Sequence, residues 1–321
     1  MSTSQKYTPR SKKNNKNAVK NQQMDIMPSV SRSSGLEKGG DALKNAKTQE
    51  EYWSFVQSKI FDYWKQYPEG SPDSKVREEA RHSVLILIRK LREGIMAAKR
   101  EDQFASDVYE TSLRISILFS SSVNIASTLS YLLPTYYTSR SLTHSRDSTI
   151  LITLLLQLDS SYPSQREYYE HCQEFLASGC IARDSPTIPW LASLARAIRS
   201  CNYYRVEALT RPKVYTQLLE SLPQRSSKGA VDLDSSSVHS IISSLHDRLR
   251  DRSWPILRVA YREMTFLPKI TDTSEWLRRS LIFDSSEISV DTWFRQQSEK
   301  GNVKAKEEIE GKWMIIKPTP N

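Results

Sequence analysis

"LHDRLRDRSWPILRVAYREMTFLPKITDTSEWLRRSLIF", residues 245–283, is the stretch on which the fold turns. Val238, Ile241, Ile242, Leu245 and Leu249 recur at three- and four-residue steps, one face of a helix. Pro255 lacks an N–H and clashes with the preceding turn, so it is expected to end that helix. Ser253 is then expected to cap a new one carrying Ile256, Leu257, Ala260 and Met264, closed by Pro268. Thr273 or Ser274 is expected to cap "EWLRRSLIF", and Ser285 or Ser286 to precede "ISVDTWFRQQSEKGN". Further on, "EGKWMIIKP" (310–318) is short, aromatic, β-branched and closed by Pro318, which predicts a strand. Three short helices, a charged connection and a strand are the order expected of a winged helix.

Upstream, the same periodicity continues. Tyr52, Phe55, Val56, Ile60, Tyr63, Trp64 and Tyr67 predict a helix stopped by Pro68, Gly70 and Pro72. A second runs from about Ser74 to Ala98, with Val84, Leu87, Ile88, Leu91 and Ile95 on its stripe. Helices over 103–119 and 123–137 follow, the latter striped by Ala126, Leu129, Leu133 and Tyr136. "ILITLLLQL" (150–158) is too short to span a bilayer, which needs about 20 apolar residues, and predicts a helix buried on all sides. Gly179 suits the left-handed residue after a helix, and Pro189 suits a first turn. Two short helices near 202–209 and 213–221 lead to a polar loop at 223–237. The expected fold is mainly α: an antiparallel helical-repeat array over 49–237, then C-terminal helices and the winged helix over 238–321. Only 9 of 321 residues are glycine, which excludes folds built on many tight turns or Gly-rich loops.

Charge is concentrated at one end. Residues 1–48 hold ten Lys or Arg against three acids, a net of +7 out of the chain's +9. Rich in Ser, Lys, Asn and Gln, this arm is expected to be disordered, because it offers too little apolar surface to offset ordering entropy. Within "PRSKKNNKNAVK", Lys12, Lys13, Lys16 and Lys20 are candidates for RNA contact or nuclear import, set against a purely solubilising tail. Cys172, Cys180 and Cys201 form an odd set without a C-x-x-C, which predicts free thiols in a reducing cytoplasmic or nuclear setting. No apolar core opens the first 25 residues, so neither a signal peptide nor a membrane association is expected.

The motifs of hydrolases, nucleotide-binding loops and zinc proteases are absent from the sequence, and five scattered histidines offer no metal spacing. His171 beside Cys172 invites a thiol–imidazole reading. Adjacent helical residues point about 100° apart, however, and a packed cysteine with a surface histidine is the plainer expectation. The chain is expected to be non-catalytic, with no cofactor and no small-molecule substrate.

"LRDRSWPILRVAYREM", "TSEWLRRSLIF", "DTWFRQQSEKGN" and "GKWMIIK" resemble, in that order, the C-terminal half of PCI-domain proteins. The branch is the one grouping the small PCI subunits of the proteasome lid, the signalosome and translation initiation factor three with the GANP-type mRNA-export proteins. Ala260–Tyr261 and Leu281-x-Phe283 stand where that branch carries an Ala-Tyr pair and a Leu-x-Phe helix end. "VYETSLRISILF" (108–119) and "LARAIRSCNYYRVEALTRP" (194–212) resemble its earlier helices, so the resemblance spans about 50–318. It implies a scaffold that joins sibling PCI subunits side by side through its winged helix. The alternative it implies is an RNA-associated adaptor in mRNA processing or export. On the strand, Trp313 and Ile315 share one face, Met314 and Ile316 the other. Phe294, Trp313, Met314 and Ile316 are the expected partner-contact residues. The mixed charges Lys300, Lys304, Lys306 and Lys312 against Glu299, Glu307, Glu308 and Glu310 argue against reading of a DNA groove.

Overall fold

A computed structural model describes residues 22–30, 42–68, 70–138, 146–223, 232–265, 271–283, 288–306 and 312–317. They are mainly helical with one small sheet. The chain divides into two compact units, the first running to Leu133 and the second beginning at Pro134.

In the first unit, α1 (Ala46–Gln66), α2 (Lys75–Ala97) and α3 (Gln103–Leu118) pack in sequence order, α1 on α2 and α2 on α3, and α4 (Ser122–Thr138) follows. Each of the first three starts where a side chain caps it: Asn45 accepts from the amides of Lys47 and Thr48, Ser74 from Arg77, and Asp102 from Ala105. The predicted stripes bury as expected at Tyr52, Phe55, Val56, Ile60 and Tyr63, and at Val84, Leu87, Ile88, Leu91 and Ile95. On α4 the buried side chains are instead Thr128, Leu129, Leu132 and Tyr136, while Ala126 is exposed. Thr128 turns inward because it meets the buried Arg92 guanidinium, which also donates to Asn124 and Ser127.

The expectation of disorder through residue 48 is corrected over 22–30 and 42–48. Met24 and Leu43 are buried, and a short 3₁₀ turn, Ala42–Lys44, lies against α1 and α2. Gly94 makes the approach feasible: a Cβ there would meet the Leu43 carbonyl oxygen at 2.7 Å and the Leu43 Cβ at 2.8 Å. A few apolar anchors suffice to order a polar segment when a ready-made groove receives them.

The second unit is built around α5 (Asp147–Ser160), whose every residue from Thr149 to Asp159 is buried. Around it pack α6 (Arg166–Ser178), α7 (Thr187–Arg199) and the long α10 (Leu233–Ala260). Ser244 and Arg248 of α10 hold the Asp159 carboxylate of α5 at 2.9 and 3.1 Å. Gly179 ends α6 at φ 74°, the left-handed conformation predicted for it. Between α7 and α10 lie α8 (Tyr203–Thr210), capped by Asn202, and α9 (Pro212–Ser221), with proline in its first turn.

Here the expected helix break is overturned. Pro255 lies inside α10, which runs on to Ala260, and Ser253 is no cap: it is buried, and its hydroxyl donates to the Leu249 carbonyl at 2.8 Å. The proline removes one backbone donor, and burial of Leu249, Ser253 and Trp254 along one face keeps the helix continuous.

After α10 come β1 (Glu263–Thr265), α11 (Thr271–Ser280), α12 (Val290–Glu299), β2 (Val303–Ala305) and β3 (Lys312–Ile315). The strand predicted at 310–318 is therefore joined by two others that three residues of sequence could not reveal. α11 begins ahead of Thr273 and Ser274, and α12 is capped by Ser289, whose hydroxyl accepts from the Thr292 amide at 3.1 Å. Ser285 and Ser286 lie outside the described residues. The sheet order is β1-β3-β2, antiparallel throughout, with Glu263 opposite Met314 and Lys304 opposite the same Met314 from the other side. Trp254, Met264, Leu277, Leu281, Phe283, Val290, Trp293, Phe294, Val303 and Ile315 form one buried cluster beneath it. Trp254 meets the Trp293 ring edge-on at 4.7 Å and Phe294 at 5.9 Å. This end of the chain has a core of its own.

Candidate functional site

The outer face of the small sheet is the first candidate surface. Strand alternation sends Met264, Val303 and Ile315 inward, where all three are buried, and Glu263, Lys304 and Met314 outward. Met314 is 40 % exposed and Ile316 45 %. They sit in a charged frame: Lys312 Nζ lies 2.6 Å from Glu263 Oε2, and Lys306 Nζ 3.5 Å from Glu263 Oε1. The Lys312 hydrogen bond holds the Glu263 carboxyl below the usual range. Arg258, from the last turn of α10, donates through Nε (2.9 Å) and Nη2 (2.6 Å) to the Ile316 carbonyl. This clamp fixes the end of β3 to α10. The face can present two apolar side chains inside a rim of three lysines, one glutamate and one arginine.

The four expected contact residues separate. Met314 and Ile316 are on the outer face. Trp313 is half-buried and stacks on Phe294 with ring centroids 5.5 Å apart. Phe294 is fully buried and is corrected to a core residue, because Trp254, Trp293 and Trp313 enclose it. β3 is central in the sheet, so the backbone edges open to a further strand belong to β1 and β2. Lys12, Lys13, Lys16 and Lys20 lie outside the described residues.

Arg250 ties α10 to the end of α11. It is buried, and donates through Nε to the Leu281 carbonyl (3.0 Å) and through Nη2 to Ile282 (3.1 Å). Nη1 pairs with Asp247 at 2.6 Å, and the guanidinium lies 4.7 Å from the centre of the Phe283 ring. One side chain thus satisfies the carbonyls that α11 leaves open at its end, where Ile282 has turned to a φ of 54°. The quoted stretch "LRDRSWPILRVAYREM" and the Leu-x-Phe end meet here. Nothing in the sequence marked Arg250 as buried among its charged neighbours.

His171 and Cys172 face different partners. His171 Nδ1 is 2.7 Å from the Tyr137 hydroxyl and 3.6 Å from Glu174, whereas burial pushes the Cys172 thiol upward beside Tyr168. All three cysteines are free. Among the described residues there is no cluster of potential metal ligands, and no helix is long and apolar enough to cross a membrane.

A second concavity, of about 730 Å³, opens between the start of α8, the last turns of α10 and α11. Trp276 and Ile256, which line it, are residues that sequence reasoning placed on helices without a role.

Set beside known proteins, the chain matches no protein-family model, and no curated protein is similar to it in sequence.

Proposed function

We propose that the protein is a non-catalytic scaffold subunit of PCI type: a helical array closed by a winged helix that joins a sibling subunit in a multi-protein assembly. The assemblies in view are of the proteasome-lid, signalosome or translation-initiation kind, in the cytoplasm or nucleus. One observation carries this reading. The C-terminal elements follow in the order helix, strand, helix, helix, strand, strand, with a β1-β3-β2 sheet over a separate core. The sequence leads one to expect three short helices, a charged connection and one strand; the two further strands supply short edges which, with the Met314–Ile316 pair, are available for lateral contact.

The test is purification of the tagged chain from its own cells with identification of what accompanies it. Subunits of one such assembly are expected, and they should be lost from a Met314→Glu, Ile316→Glu variant whose melting temperature is unchanged. Unfolding of that variant would place the pair in the core, and recovery of the wild-type chain alone would overturn the proposal. A second reading, an RNA-associated adaptor of the GANP type, draws on the +7 charge of residues 1–48 and on the three lysines around Met314. Recovery of export factors and RNA would favour it, with an affinity that falls steeply with salt.

A further inference from the structure

Residues 22–30 lie across α1 and α2 in the manner of a bound peptide. Met24 is buried and rides on one helical turn, closed by the Ile26 amide on the Gln22 carbonyl at 3.4 Å and the Met27 amide on the Met24 carbonyl at 3.3 Å. Beside it, Asp25 touches both helices. Lys59 of α1 reaches its carboxylate at 3.3 Å, and Lys90 of α2 donates to its carbonyl at 3.4 Å. Five residues after Met24, the buried Ser29 hydroxyl donates to the Glu93 carboxylate of α2. Gln22, Gln23, Asp25 and Ile26 are exposed.

Contacts of this kind hold a segment without building it into the core. Of the nine residues only Met24 and Ser29 are buried, little to set against the entropy of ordering the rest. The Lys59–Asp25 pair is exposed on both sides, and such pairs contribute little in water. Segments with few buried contacts open locally, well below the free energy of global unfolding. Leu43, by contrast, is wholly buried against Gly94 of α2, so the helix pair keeps a separate anchor when residues 22–30 leave. The contacts also state what the face recognises: an unbranched apolar side chain, an adjacent acid for Lys59, and a hydroxyl for Glu93.

We infer that this face of α1 and α2 is a peptide-docking site that residues 22–30 occupy in cis, as a releasable strap. A partner protein's segment takes their place when it carries the same order: methionine or leucine, an acid next to it, and a serine or threonine five positions after the apolar residue. All these residues belong to the first unit and none to the C-terminal sheet, so the inference stands apart from the reading of that sheet.

The test uses the full chain and a fluorescent synthetic peptide of residues 21–31, NQQMDIMPSVS. Met24→Asp in the chain should release the strap and leave the chain folded, as checked by its melting temperature. The peptide should then bind about tenfold or more tightly than it binds the unaltered chain, where the tethered copy competes. Met24→Asp in the peptide should weaken its binding about tenfold or more, as loss of one buried methionine implies. Lys59→Glu in the released chain should also weaken the peptide, and Asp25→Lys in the peptide should recover part of that loss. If Met24→Asp is destabilised, Asp25→Lys combined with Ser29→Glu is the second releasing variant. The inference is overturned if released and unaltered chains bind the peptide alike, if neither binds it, or if the charge reversal recovers nothing. It is equally overturned if both releasing variants unfold, because the segment is then core and not ligand.

Discussion

Arg250 shows how a single enclosed side chain can join two helices. In "HDRLRDR" it reads as one more solvated charge, because sequence carries no mark of which arginine the fold will enclose. Enclosed, it satisfies two carbonyls and an aspartate. Arg250→Met should leave those carbonyls unsatisfied and cost about 3 kcal/mol, measured by denaturant unfolding. Lysine should not rescue it, since one ammonium cannot reproduce a planar fork. His246 is the other buried cation-former of α10. Its Nε2 lies 2.7 Å from Thr210 Oγ1, whose hydroxyl is also 2.8 Å from the Val206 carbonyl, so the two side chains share one buried hydrogen bond. Burial, helped by the charges of Arg250 and His239, lowers its pKa from 6.5 to about 4. Between those values the unfolded chain binds more protons than the folded one, so stability should fall as pH drops from 6.5 towards 4. The loss should reach up to about 3 kcal/mol, and His246→Gln should flatten that part of the profile.

Among the elements, legibility follows length and regularity. α5 was plain from nine nearly unbroken apolar positions, α2 from a stripe the structure buries throughout, and α1 from one it buries from Tyr52 to Tyr63 and leaves half-buried at Trp64 and Tyr67. Three-residue strands leave no periodicity to detect, and β1 and β2 exist because β3 lies between them. Pro255 misled for a different reason: a local penalty was weighed without the burial that outweighs it. Because the helix continues regardless, Pro255→Ala should restore a backbone hydrogen bond and raise stability by up to about 3 kcal/mol, read from the denaturant midpoint. A loss instead would mean that α10 needs the local distortion to deliver Glu263 into register with Met314. The groove residues escaped notice because Trp276 and Ile256 fit a helical stripe, and only tertiary packing shows which stripe members are left outside.

For the molecule as a whole, stability should be unevenly distributed, and amide hydrogen exchange would show it. In the second unit, the amides of α5 should exchange only through global opening, since every side chain from Thr149 to Asp159 is buried. In the first, the same is expected of α2 around Ile88, Leu91 and Ile95. β1 and β2, short and open on one edge, should exchange far sooner; equal protection throughout each unit would refute this gradient. Composition foretold a mainly helical chain, from the scarcity of glycine, but could not show where it divides, because the first unit ends within α4 rather than at a polar loop. Finally, the order of synthesis has its own effect on the sheet. The ribosome delivers β1 and then β2, neither of which can pair with the other, and the strand that unites them is translated after both. Until β3 has been made, Met264 and Val303 lack the central strand that lies between theirs, so β1 and β2 are expected to take their sheet positions only once the chain has been synthesised through Ile315.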